Sequence, residues 1–253
     1  MTIQSVDRAV SILRLLSDHK AGLPVSGICT RLGLPLGTAH RFLQTLVGNG
    51  LVMQDRRTKF YRLGLGMLRL ASVMINSDSL SRAAKAPMQK CADEIGNLVY
   101  LCRENAGDVV CVACVSHDSG SNLTQFAAQI GGAMPFHAAA AGKIILAYGG
   151  LGKFDQVFTA KAPLEKFTDR TRVAYEDVLD DLRTARARGW AVCDEELEPG
   201  VIAVAAPVRN FDGTVSASVA ATGVKAGVSL PGLIQAVTDC AAAISRAQGY
   251  APV

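Results

Sequence analysis

The sequence predicts an α+β chain: an N-terminal winged helix-turn-helix over residues 1–63, a linker helix over 64–80, and a larger domain over 81–253 built on an antiparallel sheet. Three observations carry this. Short helical patterns separated by a glycine stop are followed by two β-prone runs flanking a cationic turn. Positive charge is concentrated in the first sixty residues. From about Ser81 strand-like and helix-like patterns alternate to the end, as in layered α+β domains.

The composition sets outer limits. With 49% hydrophobic and 19% charged residues in 253, the chain reads as an ordinary globular protein, not a disordered one. No window approaches the ~18 uninterrupted apolar residues of a membrane span, so no membrane partner is expected. Asp7 and Arg8 interrupt the opening apolar run where a signal peptide would continue it, so a cytoplasmic location is expected. Seven cysteines without framework spacing suit reduced thiols. Cys111 and Cys114 lie in "DVVCVACVSHD", a strand pattern in which residues three apart face opposite ways. They should not share a metal, and neither metal nor other cofactor is expected.

Residues 1–63 hold nine Lys or Arg and three Asp, a surplus of +6, whereas the remainder sums to −2. A basic head on a slightly acidic body suits contact with a polyanion. In the head, "SVDRAVSILRLLSDH" spaces Val6, Ala9, Val10, Leu13 and Leu16 as a helix, with Ser5 placed as its N-cap. "VSGICTRLGL" is a second helix, with Ile28 and Leu32 inward and Gly33 as its stop. A third begins at Pro35, in a first-turn position, and carries a stripe of Ala39, Phe42, Leu43, Leu46 and Val47.

Opposite that stripe stand Thr38, Arg41, Gln44 and Thr45, with His40 near the edge. They are slim, hydrogen-bonding groups and a cation, suited to base edges and phosphates in a major groove. Gly37 lets the helix start approach the DNA backbone, where its N–H groups favour a phosphate. "GLVMQDRRTKFYRLG" then forms a hairpin over Leu51–Gln54 and Phe60–Leu63. Arg56, Arg57 and Lys59 stand at its tip, placed for phosphate or minor-groove contact. The predicted partner is double-stranded DNA.

Five stretches, "SVDRAVSILRLL", "LGLPLGTAHRFLQTLVGNGLV", "YRLGLGMLRLA", "PFHAAAAGKIILA" and "ARARGWAVCDEELEPGVIAVAAPV", resemble in order and spacing the IclR (isocitrate lyase regulator) family of bacterial transcription factors. The resemblance runs over nearly the whole chain. It implies a winged-helix DNA-binding domain, a linker helix and a GAF-like C-terminal domain that binds a small effector. It also implies a homodimer or dimer of dimers on a pseudo-palindromic operator, regulating a metabolic operon most often by repression.

In the linker, Gly64 and Gly66 read as a hinge, and Leu65, Leu68, Val73 and Ile75 leave apolar surface suited to pairing between protomers. Beyond it, "AAKAPMQKCADEIG" reads as helix; "NLVYLCRE", "DVVCVACVS" and "SNLTQFAAQ" read as strands. A helix follows from His137 to Tyr148, then another over "AYEDVLDDLRTARARG". "WAVCDEE", "GVIAVAAPVRN" and "TVSASVAATG" read as strands, and a last helix runs from about Pro231 to Gln248.

"GGAMPFHAAAAGK" starts a helix with almost no side chains, either a seat for a carboxylate on free N–H groups or a packing device. His137 stands where a phosphate-binding loop would need glycine, and Ile144 replaces its Ser or Thr. The resemblance makes Met134, His137, Ala141 and Gly142 a pocket wall. It places Cys193 and Asp194 at a strand end lining the effector site, although the acids of "CDEELE" also read as a solvated turn. Relatives often present Cys or Ser at the positions of Ala203 and Ala220; here Thr222 is the main polar group left. That less polar wall points to a larger or aromatic acid as effector. His137 with Cys193 as a thiol–imidazole enzyme lacks an orienting third group, and a thiol redox sensor is a further alternative.

Overall fold

The computed structural model describes residues 3–117 and 128–251, which form two compact units, Met1–Asp78 and Ser79–Val253. In the first, α1 (Gln4–Ser17), α2 (Val25–Leu32) and α3 (Leu36–Gly48) enclose a core of Ile12, Leu16, Ile28, Ala39, Leu43 and Leu46. Val6 and Val10, expected inward, are 54% and 40% exposed. At about 100° per residue they lie roughly a quarter-turn or more from the Ile12–Leu16 direction that meets the core. Val47 leaves the α3 stripe for the same reason, at 39% exposed. Leu32 is only half-buried.

The helix ends also correct the sequence reading. Ile3, not Ser5, caps α1. Pro35 precedes α3 as its cap, and its carbonyl accepts the N–H groups of Thr38 and Ala39. Gly33 ends α2 as expected, at φ 61°, a left-handed conformation that costs glycine little.

Strands β1 (Val52–Gln54) and β2 (Tyr61–Leu63) pair antiparallel as the wing. Asp55 Oδ1 fastens its tip by accepting the N–H of Arg57 at 2.9 Å and of Thr58 at 2.8 Å. Gly64 and Gly66 are close-packing positions, not a hinge. A Cβ on either would stand 2.3 or 2.7 Å from the Gly50 carbonyl oxygen, which accepts the Gly66 N–H at 2.9 Å. Helix α4 (Leu65–Ser77) follows with Leu65, Leu68, Val73 and Ile75 exposed, as the spacing predicts.

The second unit is a six-stranded antiparallel sheet in the order β5-β4-β3-β8-β7-β6. Its strands are β3 (Leu98–Asn105), β4 (Asp108–Ser116), β5 (Ala133–Met134), β6 (Ala191–Asp194), β7 (Val201–Arg209) and β8 (Val215–Val224). Alternation divides the side chains between two cores. Val99, Leu101, Val204, Val208, Val219 and Ala221 pack under α5 (Ser79–Ile95) and α9 (Leu230–Ala247). Tyr100, Cys102, Ala203, Ala205 and Ala220 pack under α6 (Ala140–Gly149) and α8 (Tyr175–Arg188).

Cys111 and Cys114 both join the α6 side. A bulge opposite Leu101–Cys102 inserts one residue in β4 and cancels the expected alternation. The α6 helix begins at Ala140, three residues after the predicted start, and α7 (Leu151–Lys161) occupies a stretch in which the sequence pattern marks no element. The strand expected over 121–129 falls almost wholly outside the described residues. No helix among the described residues is long and apolar enough to cross a membrane.

Candidate functional site

The α3 face predicted to meet DNA is open. Pro35, Gly37, His40, Arg41, Gln44 and Thr45 are exposed and Thr38 is half-buried. Thr38, Arg41, Phe42 and Thr45 line a depression of about 380 Å³ together with Ser5 and Arg8 of α1. Arg8 is therefore a further candidate contact, one the sequence reading counted only as charge. Its place beside α3 is a tertiary fact, and its charge was the one signal in the sequence. Thr45 Oγ1 donates to the Arg41 carbonyl at 3.0 Å, which ties the hydroxyl to its own helix. Among the described residues Arg41, Arg56, Arg57 and Lys59 make no ion pair, whereas Arg62 approaches Asp55 at 3.7 Å. The N–H groups of Thr58 and Arg57 hold the Asp55 carboxyl below its usual range, so the wing tip keeps its one anion tied to the turn.

In the second unit a cavity of about 490 Å³ opens between β4–β5 and the segment 161–167. Val109, Met134, Phe136, Leu164 and Phe167 make its wall largely apolar, and Lys161 pairs with Asp108 in the same wall. His137 stacks on Phe167 with ring centroids 5.9 Å apart and meets Phe136 edge-on at 5.3 Å. Its Nε2–H donates to the Glu165 carbonyl at 2.9 Å. That bond fixes the tautomer, so Nδ1 carries a lone pair, and Nδ1 is buried without a donor. Burial lowers the His137 pKa against the opposing pull of the Glu165 carbonyl, favouring the neutral ring.

Met134 and His137 thus share one cavity wall. The other candidates sit elsewhere. Ala141, Cys193, Ala203 and Ala220 are buried in the core between sheet and α6. A Cβ on Gly142 would stand 2.6 Å from Phe136 Cα, so this glycine lets the helix close on the turn that precedes it. Residues 138–141 are 0–2% exposed, which makes the alanine run a packing surface in this structure. Thr222 Oγ1 donates to the Ile202 carbonyl at 3.2 Å. Asp194 turns outward to Lys225 at 2.6 Å and Arg170 at 3.1 Å. Desolvation raises the Cys193 thiol pKa, which argues against a nucleophile, and five of the seven cysteines are buried.

The acidic run after Cys193 is not a solvated turn throughout. Glu196 is 3% exposed and binds Lys143, itself 1% exposed, with Oε1 to Nζ at 2.6 Å. Lys143 also meets Asp181 at 2.7 Å and donates to the Val192 carbonyl at 3.0 Å, while Arg172 meets Glu196 at 3.0 Å. The hydroxyl of Thr171 donates to the Glu196 carbonyl at 2.6 Å and that of Thr168 to the Glu195 carbonyl at 2.7 Å. This network fastens the loop after β6 to α6 and α8. A lone lysine in an otherwise apolar helix was the available signal, because a buried cation needs a counter-ion.

Comparison with known proteins accords with these two units. The model described as IclR helix-turn-helix domain matches residues 5–56, and that described as Bacterial transcriptional regulator IclR C-terminal matches residues 73–246. The glycerol operon regulatory protein of Streptomyces coelicolor is 34% identical over 98% of this chain and 97% of its own length. The transcriptional repressor AllR of Escherichia coli is 27% identical over 97% of this chain and 90% of its own. An IclR homologue of Microbacterium hydrocarbonoxydans, solved in complex with 4-hydroxybenzoate, shares the fold with a TM-score of 0.78. It is 23% identical, over 96% of this chain and 98% of that one. The first model spans the three helices of the DNA-facing unit and the second most of the sheet unit, and the chain belongs to the IclR family of transcriptional regulators.

Proposed function

We propose that this chain is a repressor of a catabolic operon, controlled by a small organic carboxylate in the cavity beside His137. It acts as a homodimer or dimer of dimers on a pseudo-palindromic operator. The observation that carries the ligand reading is His137 Nδ1, a buried acceptor without a donor in a cavity wall of aromatic and aliphatic side chains. Such an atom costs free energy until a donor reaches it. A flat acid bearing a hydroxyl meets both needs, with its ring against Phe136 and Phe167 and its hydroxyl on Nδ1. The structural neighbour's ligand, 4-hydroxybenzoate, has that chemistry, and the Escherichia coli relative bears the name of a repressor. A ligand that prefers one arrangement of the DNA-binding heads shifts operator occupancy by its difference in affinity.

Thermal melting of the full chain against aromatic acids, two-carbon acids and glycerol tests the ligand. A hydroxylated aromatic acid should raise the midpoint, as any ligand of the folded state does. Met134→Trp, which puts a bulky ring into the cavity wall, should reduce that rise. Stabilisation by glyoxylate with every aromatic acid inert would overturn the ligand class.

A further inference from the structure

Strand β6 pairs only with Ile202–Ala205 of β7, so Ala206–Arg209 form an unpaired stretch of the sheet edge. Pro207 suits that edge because it has no N–H to leave unmet, and the Arg209 N–H finds Ser245 Oγ at 2.9 Å. A cavity of about 240 Å³ occupies this corner, between the end of α6, the edge of β7 and the last turns of α9. Its wall includes Tyr148, Arg209, Arg246 and Tyr250, and no Asp or Glu.

The Arg209 guanidinium lies 5.0 Å from the Tyr148 ring centroid and 5.9 Å from that of Tyr250, and donates to the Gly213 carbonyl at 2.9 Å. Arg186 of α8 reaches the same Tyr148 ring at 5.6 Å and donates to the Ala147 carbonyl at 3.2 Å. Arg246 is exposed at the wall. The acids nearest in sequence do not line this cavity, although Asp239 and Glu94 share a neighbouring depression with Arg246. Asp212 accepts from Thr214 and Asp239 from Gln235.

Arg209 and Arg246 therefore stand in the cavity wall while Arg186 backs the Tyr148 ring from α8, and none of the three is ion-paired among the described residues. The ends of α6 and α9 answer part of this charge, at about −0.5 each. The two arginines of the wall still outweigh those ends, leaving a net positive charge in a concave site that concentrates the field. We propose that this corner is a second ligand site, distinct from the cavity at His137, for a small phosphate monoester dianion. Arginine forks match phosphate oxygens, and a wall with two arginines and no carboxylate favours an anion.

The test is calorimetry of the full chain with inorganic phosphate, phenyl phosphate and benzoate. Fluorescence of Trp190, the single tryptophan and the neighbour of cavity residue Gly189, gives a second readout. Phenyl phosphate should bind with the affinity falling as salt rises. Arg209→Gln should weaken it at least tenfold and Arg246→Ala about threefold, while Met134→Trp in the other cavity leaves it unchanged. Should Arg209→Gln lose its cooperative melt, Arg246→Ala carries the test by itself. The proposal is overturned by wild-type protein that takes up neither phosphate at millimolar concentration, by variants that bind like wild type, or by benzoate binding as tightly at this corner. Loss of phosphate binding in Met134→Trp alone would overturn it too, by placing the anion beside His137.

Discussion

Lys143 and Glu196 form a 2.6 Å ion pair in which both side chains are all but fully buried, joining α6 to the loop that follows β6. Desolvating two charges is costly, and the pair holds because Asp181, Arg172 and the Val192 carbonyl complete its partners. Lys143→Met should therefore destabilise the second unit by about 3–5 kcal/mol, since it leaves buried Glu196 and half-buried Asp181 to share one arginine. Denaturant unfolding measures this. Lys143→Met combined with Glu196→Leu should lose less than Lys143→Met alone; a double variant that loses the sum would contradict the coupling.

Gly37 and Gly64 separate DNA approach from packing. A Cβ on Gly37 meets nothing within 4 Å, so Gly37→Ala should leave the fold intact and favour the helix by up to about 1 kcal/mol. If the helix start lies against a phosphate, the same change weakens DNA binding. Gly64→Ala drives a Cβ to 2.3 Å from the Gly50 carbonyl oxygen and should destabilise the first unit by about 1–3 kcal/mol or more. Melting and duplex affinity of the two variants should move in opposite proportions.

Arg41 and the wing arginines should differ in kind. Arg41→Ala should cost about 1–3 kcal/mol at a specific site and little on unrelated duplexes, as loss of a base-edge contact does. Replacing Arg56 and Arg57 together by Ala should weaken all duplexes alike and reduce the salt slope by about 2, one unit per lost phosphate contact. Fluorescence anisotropy at several salt concentrations separates the two patterns. An Arg41→Ala protein with unchanged specific affinity would show that this face does not read bases.

These contrasts show where the sequence was legible. The α3 stripe of Ala39, Leu43 and Leu46 and the polar face behind it follow from period alone, because one side of the helix meets a core. Period fixed the α1 helix but not its phase, and Val6 and Val10 were misplaced because the direction of its core is a tertiary fact. The bulge in β4 that brings Cys111 and Cys114 to one face leaves no mark in a run of β-prone residues. Glu196 looked solvated because its partner lies 53 residues away in the chain. The cavity at His137 was half legible: Met134 and His137 share its wall, but Phe167 and Leu164 come from an irregular segment with no periodicity to announce it.

His137 links stability to pH. Its pKa is lowered, chiefly by burial, so the folded state resists the proton that the unfolded chain accepts near pH 6.5. The associated stability is fully present above that value and is lost as pH falls toward the lowered pKa. Between pH 7.5 and 5.5 the denaturation midpoint of wild type should drop more than that of His137→Gln. A ligand hydroxyl on Nδ1 should deepen this dependence, because protonation removes the acceptor.

The most direct measurement is selection of bound sequences from a randomised duplex library by the full chain. The account predicts a pseudo-palindrome whose half-sites lie about one helical turn apart, enriched by wild type and lost with Arg41→Ala. Retention of duplexes without sequence enrichment, abolished simply by raising salt, would contradict it.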